Sequence, residues 1–224
     1  MDPWDDPLCA RALLHLCLCE SFELYGMPLR LARNFEVEYN CFHRGKHEGC
    51  TNERCAKKRL LGDTPCRTLA TWLPKDRVGI TLYVDSGLRT FVGIRGRVML
   101  ATEQVMQGNV LPAETLVLAH FVLDRVEGGR LEPRVLVFDV SLLGGRDMEG
   151  LPPSERYSAL LSLFRNRGGM TTLQWVGEEA SAVAQLDGLR KKLPHDVECV
   201  VSVGCDPWLL SRVMHVNVGK GSLR

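Results

Sequence analysis

The chain has 224 residues, enough for one sizeable hydrophobic core or for one core with an appended segment. Hydrophobic residues make up 45% and charged residues 25%, and the net charge of +1 excludes an overall basic field for nucleic acid. No apolar run approaches the ~18 residues that a membrane-spanning helix needs.

Residues 5–24 have helical apolar spacing and are predicted as an opening helix that Gly26-Met27-Pro28 stops. Its apolar part, Leu13 to Cys19, is preceded by Asp2, Asp5 and Asp6. A signal peptide has basic residues there, so the chain is expected inside the cell, in nucleus or cytoplasm. Nine cysteines are then expected as free thiols, several of them small core residues, rather than as disulfides.

Residues 40–67 change character. Apolar content falls, and Cys41, His43, His47, Cys50, Cys55 and Cys66 follow one another. Thiolates and imidazoles this close suit a tetrahedral Zn²⁺ site with Cys41, His43, His47, Cys50 and Cys55 as candidate ligands. The spacing Cys-x-His-x3-His-x2-Cys-x4-Cys lacks a Cys-x2-Cys knuckle, so a solvated basic loop with unrelated thiols stands beside the zinc reading. From Phe42 to Arg77 nine Lys or Arg face four Asp or Glu, a local basic patch able to hold phosphate under either reading.

Three short β-rich runs follow: Val78 to Val84, Arg89 to Ile94 and Arg97 to Ala101, with turns at Asp85-Ser86-Gly87 and Arg95-Gly96. Residues 103–113 read as a polar connection. Leu116 to Val126 and Val135 to Val140, broken at Glu127-Gly128-Gly129-Arg130, read as a hairpin. Pro152-Pro153-Ser154 opens a helix to Arg165, with Tyr157, Leu160, Leu161 and Phe164 on its apolar face. Thr171 to Val176 is a short strand. Glu178 to Leu193 is predicted as a second helix, with acids in its first turn and Arg190-Lys191-Lys192 in its last. Pro194 ends it, and Val197 to Val203 is a buried strand. This order predicts an α+β fold, a mainly antiparallel sheet with flanking helices. The expected organisation is a helix with a Cys/His-rich basic segment over residues 1–69, a core over 70–216 and a tail over 217–224. No strand–GxGxxG–helix, GxSxG or HExxH pattern occurs.

Three blocks, spanning about residues 70–212, resemble the nucleotidyltransferase domain of mRNA capping enzymes, whose superfamily includes the ATP- and NAD-dependent ligases. Phe138-Asp139-Val140, Gly144, Pro153 and Glu155-Arg156 are similar to the family's strand–loop–helix block. Leu193-Pro194-His195-Asp196-Val197-Glu198-Cys199-Val200-Val201 is similar to its Leu-Pro-His-Glu-hydrophobic-Asp-Gly strand. Lys75-Asp76-Arg77-Val78-Gly79-Ile80 resembles its lysine motif. The resemblance implies a lysine that attacks the α-phosphate of GTP, forms a Lys–GMP adduct and passes GMP to an RNA end, with Mg²⁺ held by carboxylates. It places Lys75 as nucleophile and Arg95 on a phosphate or ribose. It sets Phe138 against the purine, Asp139 and Glu198 near the metal, and Arg212 in the closing basic motif.

The sequence departs from that pattern at several positions. Lys75 stands one residue too far from Gly79. Thr81 occupies the place of an arginine, and Leu118-Ala119-His120 stands where the family has Asp-Gly-Glu. A neutral imidazole does not replace a carboxylate's charge. Cys199 replaces a glycine, the closing Lys-x-Lys has become Leu210-Ser211-Arg212-Val213, and the OB domain that covers GTP in the family does not follow. The expectation is a degenerate domain that binds a guanine nucleotide, a cap or an RNA 5′ end without turnover. The cap-binding domain of snurportins is the precedent. An active guanylyltransferase and a scaffold that keeps only the fold are the alternatives, and a partner chain is a candidate source of the missing elements.

Overall fold

The structure is a computed structural model that describes residues 5–21, 69–94, 97–106, 111–164, 169–174, 176–178, 185, 188, 192–203 and 210–214. In chain order the elements are α1 (Pro7–Leu16), β1 (Cys17–Ser21), β2 (Leu69–Pro74), β3 (Arg77–Val84), β4 (Thr90–Ile94) and β5 (Arg97–Ala101). They continue with β6 (Thr115–Arg125), β7 (Leu131–Leu143), β8 (Arg146–Asp147), α2 (Pro153–Phe164), β9 (Thr171–Leu173), β10 (Gly177–Glu178), β11 (Val197–Val203) and β12 (Leu210–Met214).

The strands form two sheets. The larger has the order β1-β5-β4-β3-β6-β7-β8, antiparallel throughout, with β9 added parallel to β7. The smaller has the order β10-β2-β11-β12. Among the described residues the result is a mixed α+β fold: a curled, mainly antiparallel sheet that forms a half-barrel, flanked by α1 and α2.

Alternation along the strands sets the layers. Val78, Ile80, Leu82 and Val84 of β3 join Val117, Ala119 and Phe121 of β6 in one cluster with α1 and α2. Tyr83, Leu116, Leu118 and Phe138 fall in another, with Leu73 and Cys199 of the smaller sheet. The larger sheet is therefore apolar on both faces, with helices on one side and the smaller sheet on the other. This explains why β6 and β7 read as near-continuous apolar runs rather than as alternating ones.

α1 starts where Asp6 Oδ1 accepts from the backbone N–H of Leu8 (2.8 Å) and Cys9 (3.1 Å), with Pro7 in the first turn. It buries Cys9, Ala12, Leu13 and Leu16. Each buried leucine contributes about 1.5–3 kcal/mol. The helix predicted to residue 24 ends at Leu16. Cys17 turns to extended backbone, and β1 pairs with β5 at Cys17–Ala101. An open sheet edge beside it outweighs the local helical spacing.

The β6–β7 hairpin turns through Gly128 (φ 80°) and Gly129 (φ 76°). β7 and β8 meet through Gly144 (φ 56°) and Gly145 (φ 78°), two left-handed residues that a tight two-residue hairpin loop requires. Leu69–Pro74 and Leu210–Met214 are strands the sequence reading does not predict. The predicted helix from Glu178 to Leu193, the Cys/His-rich segment and the tail lie mostly or wholly outside the described residues. No described helix is long and apolar enough to cross a membrane.

Candidate functional site

β2 ends at Pro74 and β3 begins at Arg77, so Lys75 and Asp76 form the turn that carries the chain from the smaller sheet to the larger. Both are exposed. The Lys75 N–H donates to the Asp196 carbonyl at 2.8 Å, and the Arg125 N–H donates to the Pro194 carbonyl at 2.7 Å. Three segments thus meet at one corner: the 75–76 turn, the 192–196 loop and the end of β6. Arg77 Nη1 donates to Glu198 Oε2 at 2.5 Å and to the Pro74 carbonyl. The Arg125–Asp196 pair at 3.8 Å is exposed on both sides and contributes little.

Behind this corner lies a polar network between the sheets. The Trp72 indole N–H donates to His195 Nε2 at 3.3 Å, and His195 Nδ1 lies 2.8 Å from Asp124 Oδ1. Arg134 Nε donates to Asp124 Oδ2 at 2.9 Å. Burial pushes the Asp124 carboxyl up, but hydrogen bonds from His195 and Arg134, with their charge, outweigh it and hold the group below the usual carboxylate value. Arg134 also lines a shallow, open cleft of about 440 Å³ with Gln104, Arg130 and Met170.

Deeper in, the Gln174 side-chain amide donates to Thr71 Oγ1 at 2.7 Å and to the Trp72 carbonyl at 2.5 Å. Those acceptors fix the amide orientation and leave Gln174 Oε1 facing His120 Nδ1 at 3.3 Å, so His120 carries its proton on Nδ1. The His120 ring stacks on Phe138 with centroids 4.6 Å apart. Burial, then the charge of Arg77, push the His120 imidazole down to about 3, so this ring is neutral.

The structure brings two of the three resemblance blocks together. Lys75 and Glu198 share the corner, joined through Arg77 and through the Asp196 carbonyl. The third block lies elsewhere. Phe138 is buried between the sheets against His120 and Leu118. Asp139 accepts from Arg156 Nε and Nη2, both at 2.8 Å, and from the Val140 N–H at 2.8 Å. Arg156 is fully buried and also donates to the Leu151 carbonyl at 2.6 Å. Arg212 lies on β12 opposite Ser202. Arg95 lies outside the described residues.

The metal expectation is corrected. Among the described residues no group of three or more His, Cys, Asp or Glu could hold a metal ion. The two carboxylates expected near Mg²⁺ each face an arginine: Asp139 is locked to Arg156 and Glu198 to Arg77. The candidate Zn²⁺ ligands Cys41, His43, His47, Cys50 and Cys55 lie outside the described residues. Cys9, Cys17 and Cys199 are buried thiols, and burial pushes the Cys199 thiol up to about 11, which makes it inert as a nucleophile.

Sequence reasoning missed the Asp124–His195–Trp72 chain and the burial of Arg156. The first has no local signal, because its members come from β6, a loop and β2. The second has one: Arg156, Leu160 and Phe164 are spaced by four and share a helix face. No protein-family model matches the chain, and no curated protein matches it.

Proposed function

We propose that this chain is a degenerate relative of the capping-enzyme nucleotidyltransferases that binds a guanine nucleotide, a cap or an RNA 5′ end at the Lys75 corner without turning it over. One observation carries the reading. The Lys75 turn and the Leu193–Val201 block, far apart in sequence, are fastened to each other through Lys75–Asp196 and Arg77–Glu198. A phosphate held by Lys75 would sit where both blocks contribute. Binding rather than turnover follows from the arginine pairs, which occupy the carboxylates that a transferring phosphoryl group needs for its metal. The aromatic expected against the purine, Phe138, is packed in the core, so recognition falls on the phosphates.

The corner's cations Lys75, Arg77 and Arg125 stand among Asp76, Asp196 and Glu198. Opposite charges balance, long-range attraction is small, and affinity rests on contact. Raising salt from 50 to 200 mM is therefore expected to weaken binding by less than about tenfold. Calorimetric titration with GTP and with cap analogue is expected to show binding that Lys75→Ala weakens by about tenfold. Incubation with α-labelled GTP and Mg²⁺ followed by denaturation is expected to leave no label on the protein. A GMP adduct lost in Lys75→Ala would instead assign guanylyl transfer. Neither adduct nor binding would remove the nucleotide reading and leave the scaffold.

A further inference from the structure

We propose that the cleft beside Arg134 is a binding subsite for a small carboxylate, held by the Arg134 and Arg130 guanidiniums with its apolar body against Met170 and Pro133. The subsite is independent of the nucleotide reading and goes beyond it.

The walls of the cleft are built into the fold. Arg130 is extended just before β7, so Arg130, Glu132 and Arg134 alternate along one face of the chain. The Met170 carbonyl accepts from the Val135 N–H at 2.9 Å, which pins Gly169 and Met170 along the edge of β7. The short helical turn Glu103–Met106, which carries Gln104, is fastened in its turn: the Val105 carbonyl accepts from the buried Thr171 hydroxyl. The enclosed volume of about 440 Å³ lies in the range of small-molecule sites.

Arg134 is the group prepared for a ligand. Its Nε donates to Asp124 Oδ2 and its Nη1 to the Gly169 carbonyl, both at 2.9 Å, so the guanidinium is fixed before a ligand arrives. Asp124 is itself buried and bonded to His195. These bonds use two of the five N–H groups. Among the described residues nothing accepts from Nη2, and 29% of the side chain is exposed. Nη2 with the remaining N–H of Nη1 offers the paired donors that a carboxylate takes. Arg130 is held only by an exposed pair with Glu132, which contributes little, so it turns to a ligand at small cost. The charges select the ligand. Asp124 and Glu132 balance the two arginines, which disfavours the doubly charged form of phosphate against a singly charged carboxylate.

The test is an NMR titration of the full chain at pH 7 and constant ionic strength, followed on the Gly169 and Met170 backbone amides. Butyrate is expected to move them along a saturating curve with a Kd of about 1–10 mM. Butyramide, of the same size without the charge, is expected to leave them fixed, and inorganic phosphate to bind more weakly than butyrate. Arg134→Lys keeps the charge and loses the fork, and is expected to weaken butyrate by about tenfold. Arg130→Ala is expected to weaken it by about threefold. No saturating response to butyrate in a folded spectrum overturns the subsite, as does an equal response to butyramide or tighter binding of phosphate. Should Arg134→Lys fail to fold, an unchanged butyrate affinity in Arg130→Ala overturns it equally.

Discussion

Arg156→Met is expected to remove on the order of 3–5 kcal/mol of folding stability, a large share of the about 5–15 kcal/mol that a folded domain commands. Arg156 is fully buried and gives Asp139 two parallel hydrogen bonds at 2.8 Å, a fork that fits a carboxylate's geometry. A third donor reaches the Leu151 carbonyl, just before the start of α2. The residue thus fastens α2 to β7 at the strand's centre. Methionine keeps the hydrophobic stem and leaves the Asp139 charge buried without its guanidinium fork, while the Val140 N–H still donates to it. Desolvation of that carboxylate, rather than lost attraction, accounts for most of the cost. Asp139→Asn alone is expected to be severe for the converse reason, a buried guanidinium without its counter-charge. The double variant Asp139→Asn/Arg156→Met, with no buried charge left, is expected to recover a large part of the loss. Urea unfolding of the four proteins closes the cycle, and additive single effects would sink the argument.

The same pair shows what the sequence can and cannot convey. Strands β3 to β7 of the larger sheet were legible because each carries an apolar run bounded by turn residues, and α2 was legible from its prolines and apolar spacing. β1 was not, because its residues continue a helical pattern and become a strand only beside β5. β2 was not, because no turn links it to its partner β11, which lies more than a hundred residues on. At the site, the resemblance drew attention to Lys75, Phe138, Asp139 and Glu198, and two of the four do meet at a corner. What it could not convey was the partner of each carboxylate. Asp139 needed Arg156, and the buried pair becomes visible only when α2 packs on β7. Glu198 needed Arg77 from the neighbouring motif. His195 reads as a residue after a helix-ending proline until β6 brings Asp124 beside it.

Acidification from pH 7 to 4.5 is expected to cost the fold on the order of 2–3 kcal/mol through His120 alone. The ring is buried between the sheets, and it remains neutral down to about pH 3, whereas an unfolded chain protonates it near its ordinary value of 6.5. Between those values the unfolded state binds the proton and the folded state refuses it. Stability is therefore fully present above about pH 6.5 and is lost by about 1.4 kcal/mol for each unit that the pH falls toward 3. Asp124 acts in the same direction at lower pH, because its depressed carboxyl loses stability only as the pH drops below the ordinary carboxylate value and through its folded one. The comparison of the native chain with a variant at His120, made at both pH values, isolates that ring. His120→Asn keeps a donor toward Gln174 Oε1 and takes no proton. It gives up the stack on Phe138, so it is expected to be less stable at pH 7 yet flatter with pH by that 2–3 kcal/mol. Urea midpoints and slopes at both pH values decide the matter, and equal pH dependence in the two proteins would show that the ring is not the acid-sensitive group. The position gives the result a further meaning. Gln174 ties His120 to Thr71 and Trp72 across the inter-sheet space. A neutral imidazole there joins the two sheets that a carboxylate's charge would drive apart or hydrate.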